Sequence, residues 1–387
     1  MSTESAFLSL PGAVAGGAGA ADGIVTAAHY GDPVSEQRML AAGRAIVDLS
    51  DRGVVTVTGD DRLRWLDSLT SQAVGQLAPG SSAETLLLDP QGRLEHSIRL
   101  LDDGATAWLL VDGEQALPLA AWLDRMRFMM RVEVADASAE WATIGQLQPE
   151  GARLLVSPAE PNGMPLVWRD PWVDVQVGGW QYAGVETHPG AEFPAVEVLV
   201  PRASLPGLVA GLQAGLAHVA GSLALDALRI AAWRPRQSDL DERSIPHEFD
   251  WLRSAVHLSK GCYRGQETVA KVHNLGHPPR RLVMLHLDGT LSLLPAPGSA
   301  VLRDGVEVGR VTAAARHHDL GPVALAVVKR SLAVDAPLVV TAEVPGADGA
   351  ATGETAEIAA AQEVVVPPEA GATAGVPRIP RLGAVRR

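Results

Sequence analysis

The sequence predicts an α+β protein in which ferredoxin-like α/β units are followed by a small C-terminal β-barrel. Two patterns support this prediction. From about residue 54, stretches that alternate between apolar and polar residues are interspersed with stretches whose leucines recur at helical spacing. From about residue 280, short β-rich stretches follow one another with turn residues between them, which is typical of a small barrel or sandwich.

The first α/β unit is predicted over residues 35–140. Its expected elements are a strand at 54–59, a helix at 61–74, a hairpin built around the turn at 89–92, a helix near 114–127 and a strand at 131–135. This order of strand, helix, hairpin, helix and strand is that of a split β-α-β unit of the ferredoxin-like type.

The second unit is predicted over residues 141–279 and the barrel over 280–345. In the second unit we expect strands near 141–147, 172–177 and 195–200 and helices near 204–219 and 222–233. The two ends, 1–34 and 346–387, are rich in small residues without a periodic apolar pattern. We therefore expect a flexible N-terminal lead and a disordered C-terminal tail.

Composition excludes several classes of function. The chain has 387 residues, a net charge of −13 and one cysteine, so it has no intrachain disulfide and no zinc site or iron–sulfur cluster held by its own thiolates. No intrinsic metal site is therefore expected. The negative charge opposes nucleic-acid binding. No long apolar run and no basic leader are present, so we expect no membrane partner and a cytoplasmic location.

The most unusual segment, SKGCYRGQETVAKVHNLG, carries the single cysteine. Cys262 lies between Lys260 and Arg264, and it is flanked by Gly261 and Gly265. Nearby cations and a following helix N-terminus favour a thiolate, and glycines allow close approach of the backbone to a ligand. We therefore expect a reactive or metal-ligating sulfur that opens onto a pocket. The alternative is a buried, inert cysteine in a glycine turn.

The octapeptide KGCYRGQE resembles the K-G-C-[FY]-x-G-Q-E signature of the YgfZ family, which includes mitochondrial iron–sulfur assembly factors. The resemblance extends over about 45–335, where the layout is similar to the folate-dependent aminomethyltransferase of the glycine cleavage system. It implies three domains around a central channel that binds tetrahydrofolate or a derivative. The signature loop then comprises Lys260, Gly261, Cys262, Tyr263, Arg264, Gly265, Gln266 and Glu267.

The resemblance also implies a function. Family members support the assembly or repair of clusters in iron–sulfur enzymes, including tRNA-modifying ones, so the implied partners are iron–sulfur proteins or cluster carriers. The residue that matches the family's functional cysteine is Cys262, and Lys260 accompanies it. Because one thiolate cannot retain a cluster, Cys262 would be a single ligand to a transient cluster that a partner completes.

Candidate folate-binding residues follow from the chemistry of the ligand. A pterin ring presents adjacent N–H donors that a carboxylate can accept, and the glutamate tail of folate needs cations. The candidates are Arg229, Asp241, Glu242, Glu248 and Glu197. The structural question that follows is whether Cys262 faces the same cavity as Arg229 and the nearby carboxylates.

Two departures from the aminomethyltransferase pattern bear on activity. The Asp-Asp pair that contains the catalytic acid/base is replaced by His96 and Ser97, and the glutamate expected two residues after Arg229 is Ala231. Both losses favour an assembly factor over an enzyme. Two alternatives stay open: a tetrahydrofolate-dependent aminomethyltransferase or demethylase that uses Glu95 or Asp89, and a folate-binding regulator with a structural cysteine.

Overall fold

The computed structural model describes residues 3–16, 23–346 and 351–375 of the chain. The helices are α1 (Pro33–Ala41), α2 (Arg62–Leu69), α3 (Gly113–Arg125), α4 (Leu205–Gln213), α5 (Ser222–Ala231) and α6 (Gln266–Leu275). The strands are β1 (Thr3–Glu4), β2 (Val14–Ala15), β3 (Ile24–Val25), β4 (Ala27–His29), β5 (Ala45–Asp48), β6 (Gly53–Thr58), β7 (Ser82–Leu88), β8 (Leu94–Asp102), β9 (Thr106–Val111), β10 (Glu133–Asp136), β11 (Trp141–Leu147), β12 (Val167–Arg169), β13 (Ala195–Pro201), β14 (His218–Ala220), β15 (Arg280–Leu287), β16 (Ala300–Arg303), β17 (Val306–His317), β18 (Gly321–Lys329), β19 (Leu338–Pro345) and β20 (Ala351–Val364).

The first sheet has the strand order β10-β6-β9-β8-β7, with all neighbours antiparallel. Its first four strands follow the ferredoxin-like order, and β7 is an added edge strand. Apolar side chains of α2 and α3, such as Trp65 and Leu119, share one core with Val57 and Leu109 of the sheet. Along the chain, the strands and helices of this unit follow the order β6, α2, β7, β8, β9, α3 and β10.

The second sheet has the order β12-β13-β11-β5-β14, and β14 runs parallel to β5. The strand predicted at 172–177 is wrong. The strand β12 ends before this range, at Arg169, and residues Pro171–Val173 form a short 3-10 turn. Asp170 caps this turn by accepting a hydrogen bond from the Trp172 amide at 2.9 Å, and Pro171 has no N–H for a sheet.

The C-terminal domain is a closed barrel in the order β15-β18-β17-β16-β19-β20. The expected disordered tail from residue 346 is therefore wrong over its first part, because β20 closes the barrel by pairing with both β19 and β15. Ile358 and Ala360 alternate inward and are buried. Residues 365–375 continue over the barrel with Val365 and Val366 fully buried, whereas 376–387 lie outside the described residues.

The expected flexible lead is also wrong where the structure describes it. Phe7 is fully buried against the second sheet, and the Ser5 hydroxyl donates a 2.5 Å hydrogen bond to the Asp48 carboxylate. Short pairings of β1 with β3 and of β2 with β4 hold the segment to itself. Residues 17–22 of the lead lie outside the described ranges. Within the described residues, no helix has the length and apolarity needed to cross a bilayer.

The assignment of β20 to the barrel predicts a measurable stability effect. Replacement of buried Ile358 with Ala should lower the free energy of unfolding by about 2–5 kcal/mol, because it leaves a cavity in the barrel core. The neighbouring Glu357 is exposed, so Glu357→Ala should change it by less than about 0.5 kcal/mol. Urea unfolding of both variants measures the difference. Equal values near zero would mean that this segment is not part of the barrel.

Candidate functional site

A cavity lies between the first and second sheets, beside α5 and the segment that follows it. Its volume is about 60 Å³, so side chains fill most of the space between the two sheets. Its wall is strongly charged. The arginines and carboxylates that line it are Arg52, Arg99, Arg229, Arg234, Arg236, Glu84, Asp170, Glu197 and Asp226.

Arg234 connects the two sheets at this cavity. Its Nη2 lies 2.7 Å from Glu84 Oε1 on β7, and its Nε lies 2.8 Å from Asp170 Oδ2 just after β12. All three residues are buried. Burial alone would lower the pKa of Arg234, but the two carboxylates raise it above its usual value. The guanidinium therefore stays charged and fixes one sheet against the other.

Arg229 and Glu197, two of the five candidate folate ligands, both line the cavity. Arg229 donates to Asp239 Oδ2 at 2.9 Å and to Asp226 Oδ1 at 2.6 Å. Glu197 Oε1 is paired with Arg52, and Arg99 Nη1 lies 3.5 Å from the same oxygen. The second oxygen of Glu197 is buried and has no hydrogen-bond partner among the described residues.

The other three candidates lie elsewhere. Asp241 and Glu248 both bind Arg280, with shortest distances of 2.5 and 2.8 Å, in a groove against the barrel. Glu242 is exposed and pairs only loosely with Arg243, at 3.4 Å. The structure thus separates these carboxylates from the cavity that contains Arg229, because the segment 238–248 turns towards β15 instead of towards the two sheets.

Lys260 anchors the signature loop to the C-terminal end of α2. Its Nζ donates to the backbone carbonyl oxygens of Asp67, Thr70 and Gln72 at 2.6, 2.8 and 2.7 Å. Burial lowers the pKa of this amine, and Asp67 opposes that effect. A lysine with three carbonyl partners is engaged in holding the backbone, so the expected activation of Cys262 by Lys260 is not what the geometry shows.

Arg264 is likewise engaged away from the sulfur. Its guanidinium makes a forked ion pair with Glu95, at 2.6 and 3.2 Å, and its Cζ lies 5.5 Å from the centroid of the Trp122 ring. Gly265 follows with a φ of +84°, and a Cβ there would lie 2.7 Å from the Asp89 carbonyl oxygen. The loop therefore needs glycine at this position to pack on the turn after β7.

Cys262 itself is exposed. It is separated by three residues from α6, which begins at Gln266 as expected. It is neither sealed inside packing nor among the residues that line the cavity around Arg229. The sulfur and Arg229 therefore do not line one cavity: the thiol is exposed, on a loop that Lys260 and Arg264 hold to the first unit.

Comparison with known proteins supports this architecture. The sequence profile of the glycine cleavage T-protein C-terminal barrel domain matches residues 280–367. The glycine cleavage system aminomethyltransferase T from Bartonella henselae superposes with a TM-score of 0.67 at 17% identity, over 90% of this chain and 93% of that one. The fold is thus that of the aminomethyltransferases.

Sequence relatives fall into the same group. An iron–sulfur cluster assembly factor IBA57 homolog, mitochondrial, from Mycosarcoma maydis is 28% identical over 64% of this chain and 58% of its own length. An aminomethyltransferase from Nostoc is 29% identical over 76% and 78%. A chloroplastic protein of Arabidopsis thaliana, whose name describes it provisionally as a transferase, is 25% identical over 77% and 68%. The chain is thus similar in sequence both to a YgfZ-like assembly factor and to aminomethyltransferases.

Of His96 and Ser97, which stand about where the resemblance places the Asp-Asp pair, Ser97 lines the cavity together with Arg99 of the same strand face. The residues proposed as substitutes are engaged elsewhere. Glu95 binds Arg264, and Asp89 Oδ1 accepts the amides of Gln91 and Arg93 at 2.8 Å each.

Sequence reasoning missed several residues of this cavity. They are Arg52, Glu84, Arg99, Asp170, Asp226, Arg234 and Arg236. Arg99 could have been found, since the alternation along β8 places it on the same face as Ser97, near the expected acidic pair. Glu84 and Asp170 carry no comparable signal, because each is an isolated acid in a β-rich stretch.

Beneath the signature helix α6 lies His247, which is fully buried. Its Nε2 lies 3.0 Å from the Val269 carbonyl oxygen of α6, and a carbonyl accepts, so Nε2 carries the proton. Burial lowers the pKa of His247 to about 3. The folded protein thus keeps this ring neutral, whereas the unfolded chain takes up a proton below about pH 6.5.

This difference predicts a pH dependence of stability. The contribution of His247 is complete above about pH 6.5 and is lost as the pH falls towards 3, by up to about 1.4 kcal/mol per pH unit. Gln at position 247 can donate the same hydrogen bond but does not titrate. Between pH 6.5 and 5, His247→Gln should therefore lose about 2 kcal/mol less stability than the wild type. Urea unfolding at several pH values measures this, with exposed His218→Gln as the control. Parallel curves for His247→Gln and the wild type would contradict a neutral, buried His247.

Proposed function

We propose that this chain is a folate-binding protein that supports the assembly or repair of iron–sulfur clusters through its single exposed cysteine. The observation that carries the proposal is the separation of two features: a charged cavity between the two sheets, and an exposed thiol on the signature loop. The similarity to a protein named as an iron–sulfur cluster assembly factor supports the same reading.

The cavity suits a reduced folate in its chemistry. Trp168, Phe193 and Trp251 offer apolar surface for a flat ring, and Glu197 retains a buried oxygen without a partner, which suits a pterin N–H donor. Arg229 would meet an acidic or carbonyl group of the ligand. Bound tetrahydrofolate would supply its capacity to carry one-carbon units. The assignment of Asp241, Glu242 and Glu248 to folate is not retained, because they lie in another part of the molecule.

The cluster is cargo in this proposal. Biological clusters use about four protein ligands, and this chain offers one thiolate, so the remaining ligands come from a partner protein, a second copy or a small thiol. An exposed sulfur on a loop with a fixed backbone suits that task, because a partner can reach it without unfolding the loop. Iron–sulfur enzymes, tRNA-modifying ones among them, and cluster carriers are the proposed partners.

A folate-dependent transferase is the second candidate, since several relatives are named aminomethyltransferases. The engagement of Glu95 and Asp89 in structural contacts speaks against it, and purified protein should form no methylene-tetrahydrofolate from methylamine substrates. The cytoplasmic location stays a prediction from the sequence, because relatives carry mitochondrial and chloroplastic names.

Replacement of Cys262 tests the proposal in cells. In a strain that lacks the native protein, Cys262→Ala should restore iron–sulfur enzyme activity at least roughly tenfold less well than the wild type, because the ligand is lost. Exposed Ser259→Ala, on the same loop, is the matched control and should restore it fully. Both variants should keep the wild-type Tm.

Full rescue by Cys262→Ala would contradict the proposed role of the thiol and leave the folate-binding regulator as the better account. The rate of thiol labelling as a function of pH adds an independent measurement, since a reactive cysteine gives a thiolate-dependent profile within the accessible range.

A further inference from the structure

The charged cavity between the two sheets is smaller than the ligand that its chemistry suits. Its volume of about 60 Å³ has room for a few water molecules, whereas sites for drug-sized ligands usually enclose about 300–1,000 Å³. A side chain must therefore leave the cavity before a pterin ring can reach the carboxylates in its wall. The contacts of Glu197 indicate which side chain this is.

The two carboxylate oxygens of Glu197 are used unequally. Oε1 is paired with the Arg52 guanidinium, and Arg99 Nη1 lies 3.5 Å from the same oxygen. Oε2 is buried and has no hydrogen-bond partner among the described residues. Two cations thus share one oxygen while the other oxygen has no donor, and a buried acceptor without a donor costs free energy.

Arg52 offers the same kind of hydrogen-bond donors as a pterin. Its guanidinium is planar and can donate two parallel N–H bonds to one carboxylate. The 2-amino-pyrimidinone edge of a pterin has the same planar N–C–N arrangement with two adjacent N–H donors. The Arg52 side chain is only 10% exposed and lines the cavity beside Glu197. While Arg52 holds Oε1, the two donors of a pterin cannot both bind Glu197.

Arg52 can leave Glu197 without becoming an isolated charge. The carboxylate of Asp112, at the end of β9, already lies 3.3 Å from Arg99 Nη2 and 3.6 Å from Arg236 Nη2. Burial raises the pKa of this carboxyl, but Arg236, Arg99 and Arg52 together lower it to about 2. Asp112 is therefore ionised and within electrostatic range of Arg52, so it offers the displaced guanidinium a second partner.

We propose that Arg52 is an internal competitor of the folate ring: its guanidinium holds Glu197 in the closed cavity, and ligand binding exchanges it for the N–H donors of the pterin edge. This inference rests on the proposed function, because the ligand is taken to be a folate. Arg52 is then a specificity-determining residue. A ligand without paired donors cannot compensate for the lost ion pair, so it is rejected.

Calorimetric titration with tetrahydrofolate tests the competition. Arg52→Met has an unbranched side chain without N–H donors, so no ion pair has to be broken before the ligand binds. It should bind tetrahydrofolate at least roughly tenfold more tightly than the wild type. Arg310→Met breaks an exposed Arg–Glu pair on the barrel, 3.0 Å from Glu307, and should bind like the wild type. Unchanged or weaker binding by Arg52→Met overturns the proposal, and weaker binding is the result expected if Arg52 contacts the folate itself.

A ligand fragment separates competition from a general change in stability. Isocytosine is the 2-amino-pyrimidinone part of a pterin. Arg52→Ala leaves the place of the guanidinium open beside Glu197, so saturating isocytosine should raise its Tm but not that of the wild type. The double variant Arg52→Ala/Glu197→Gln keeps the open space without the carboxylate and should not respond. No shift in Arg52→Ala, or the same shift in all three proteins, overturns the proposal.

Failure of the proposed function gives a different combination of results. Neither the wild type nor Arg52→Met would then bind tetrahydrofolate, which contradicts folate as the ligand. A Tm shift of Arg52→Ala with isocytosine in the same set of measurements would still support the exchange at Glu197, because that shift depends only on Arg52 and the carboxylate.

Discussion

The arrangement of the molecule depends on one buried guanidinium. Arg234 is held between Glu84 of the first sheet and Asp170 of the second, and its Cζ lies 5.2 Å from the centroid of the Trp172 ring. A buried charge without a partner costs several kcal/mol, so these side chains permit only one relative position of the two sheets. That position leaves the charged cavity between them.

A chain of contacts leads from this ion pair to the signature loop. Glu84 Oε2 accepts from the Ser254 hydroxyl at 2.8 Å, the Gln72 amide donates to the Ser254 carbonyl oxygen at 2.9 Å, and Lys260 holds the Gln72 carbonyl oxygen at 2.7 Å. The cavity and the exposed Cys262 are thus separate sites on one rigid framework. In this framework Ser97 lines the cavity, and the thiol lies on a loop whose backbone Lys260 holds.

The sequence analysis correctly predicted the strands, helices and loop that depend on short stretches of the chain. Alternation predicted the strand Leu94–Asp102, helical spacing predicted the helix Gly113–Arg125, and a contiguous motif located the loop of Cys262. It failed where distant parts of the chain decide the outcome. The strand Ala351–Val364 has the composition of a tail until its partners in the barrel are known, and Glu84 and Arg234 are 150 residues apart. The direction of the lysine and arginine side chains in the signature also depends on carbonyl and carboxylate partners from other units.

The central claim is that the cavity framed by Arg234 receives a folate, and calorimetric titration with tetrahydrofolate tests it most directly. Ser97 lines the cavity without being a charged partner in the network, so it allows a matched pair of variants. Wild type and Ser97→Ala should bind alike, whereas Ser97→Phe should bind at least roughly tenfold more weakly because its ring fills the space. Binding by Ser97→Phe at wild-type affinity, or no binding by the wild type, would contradict the claim.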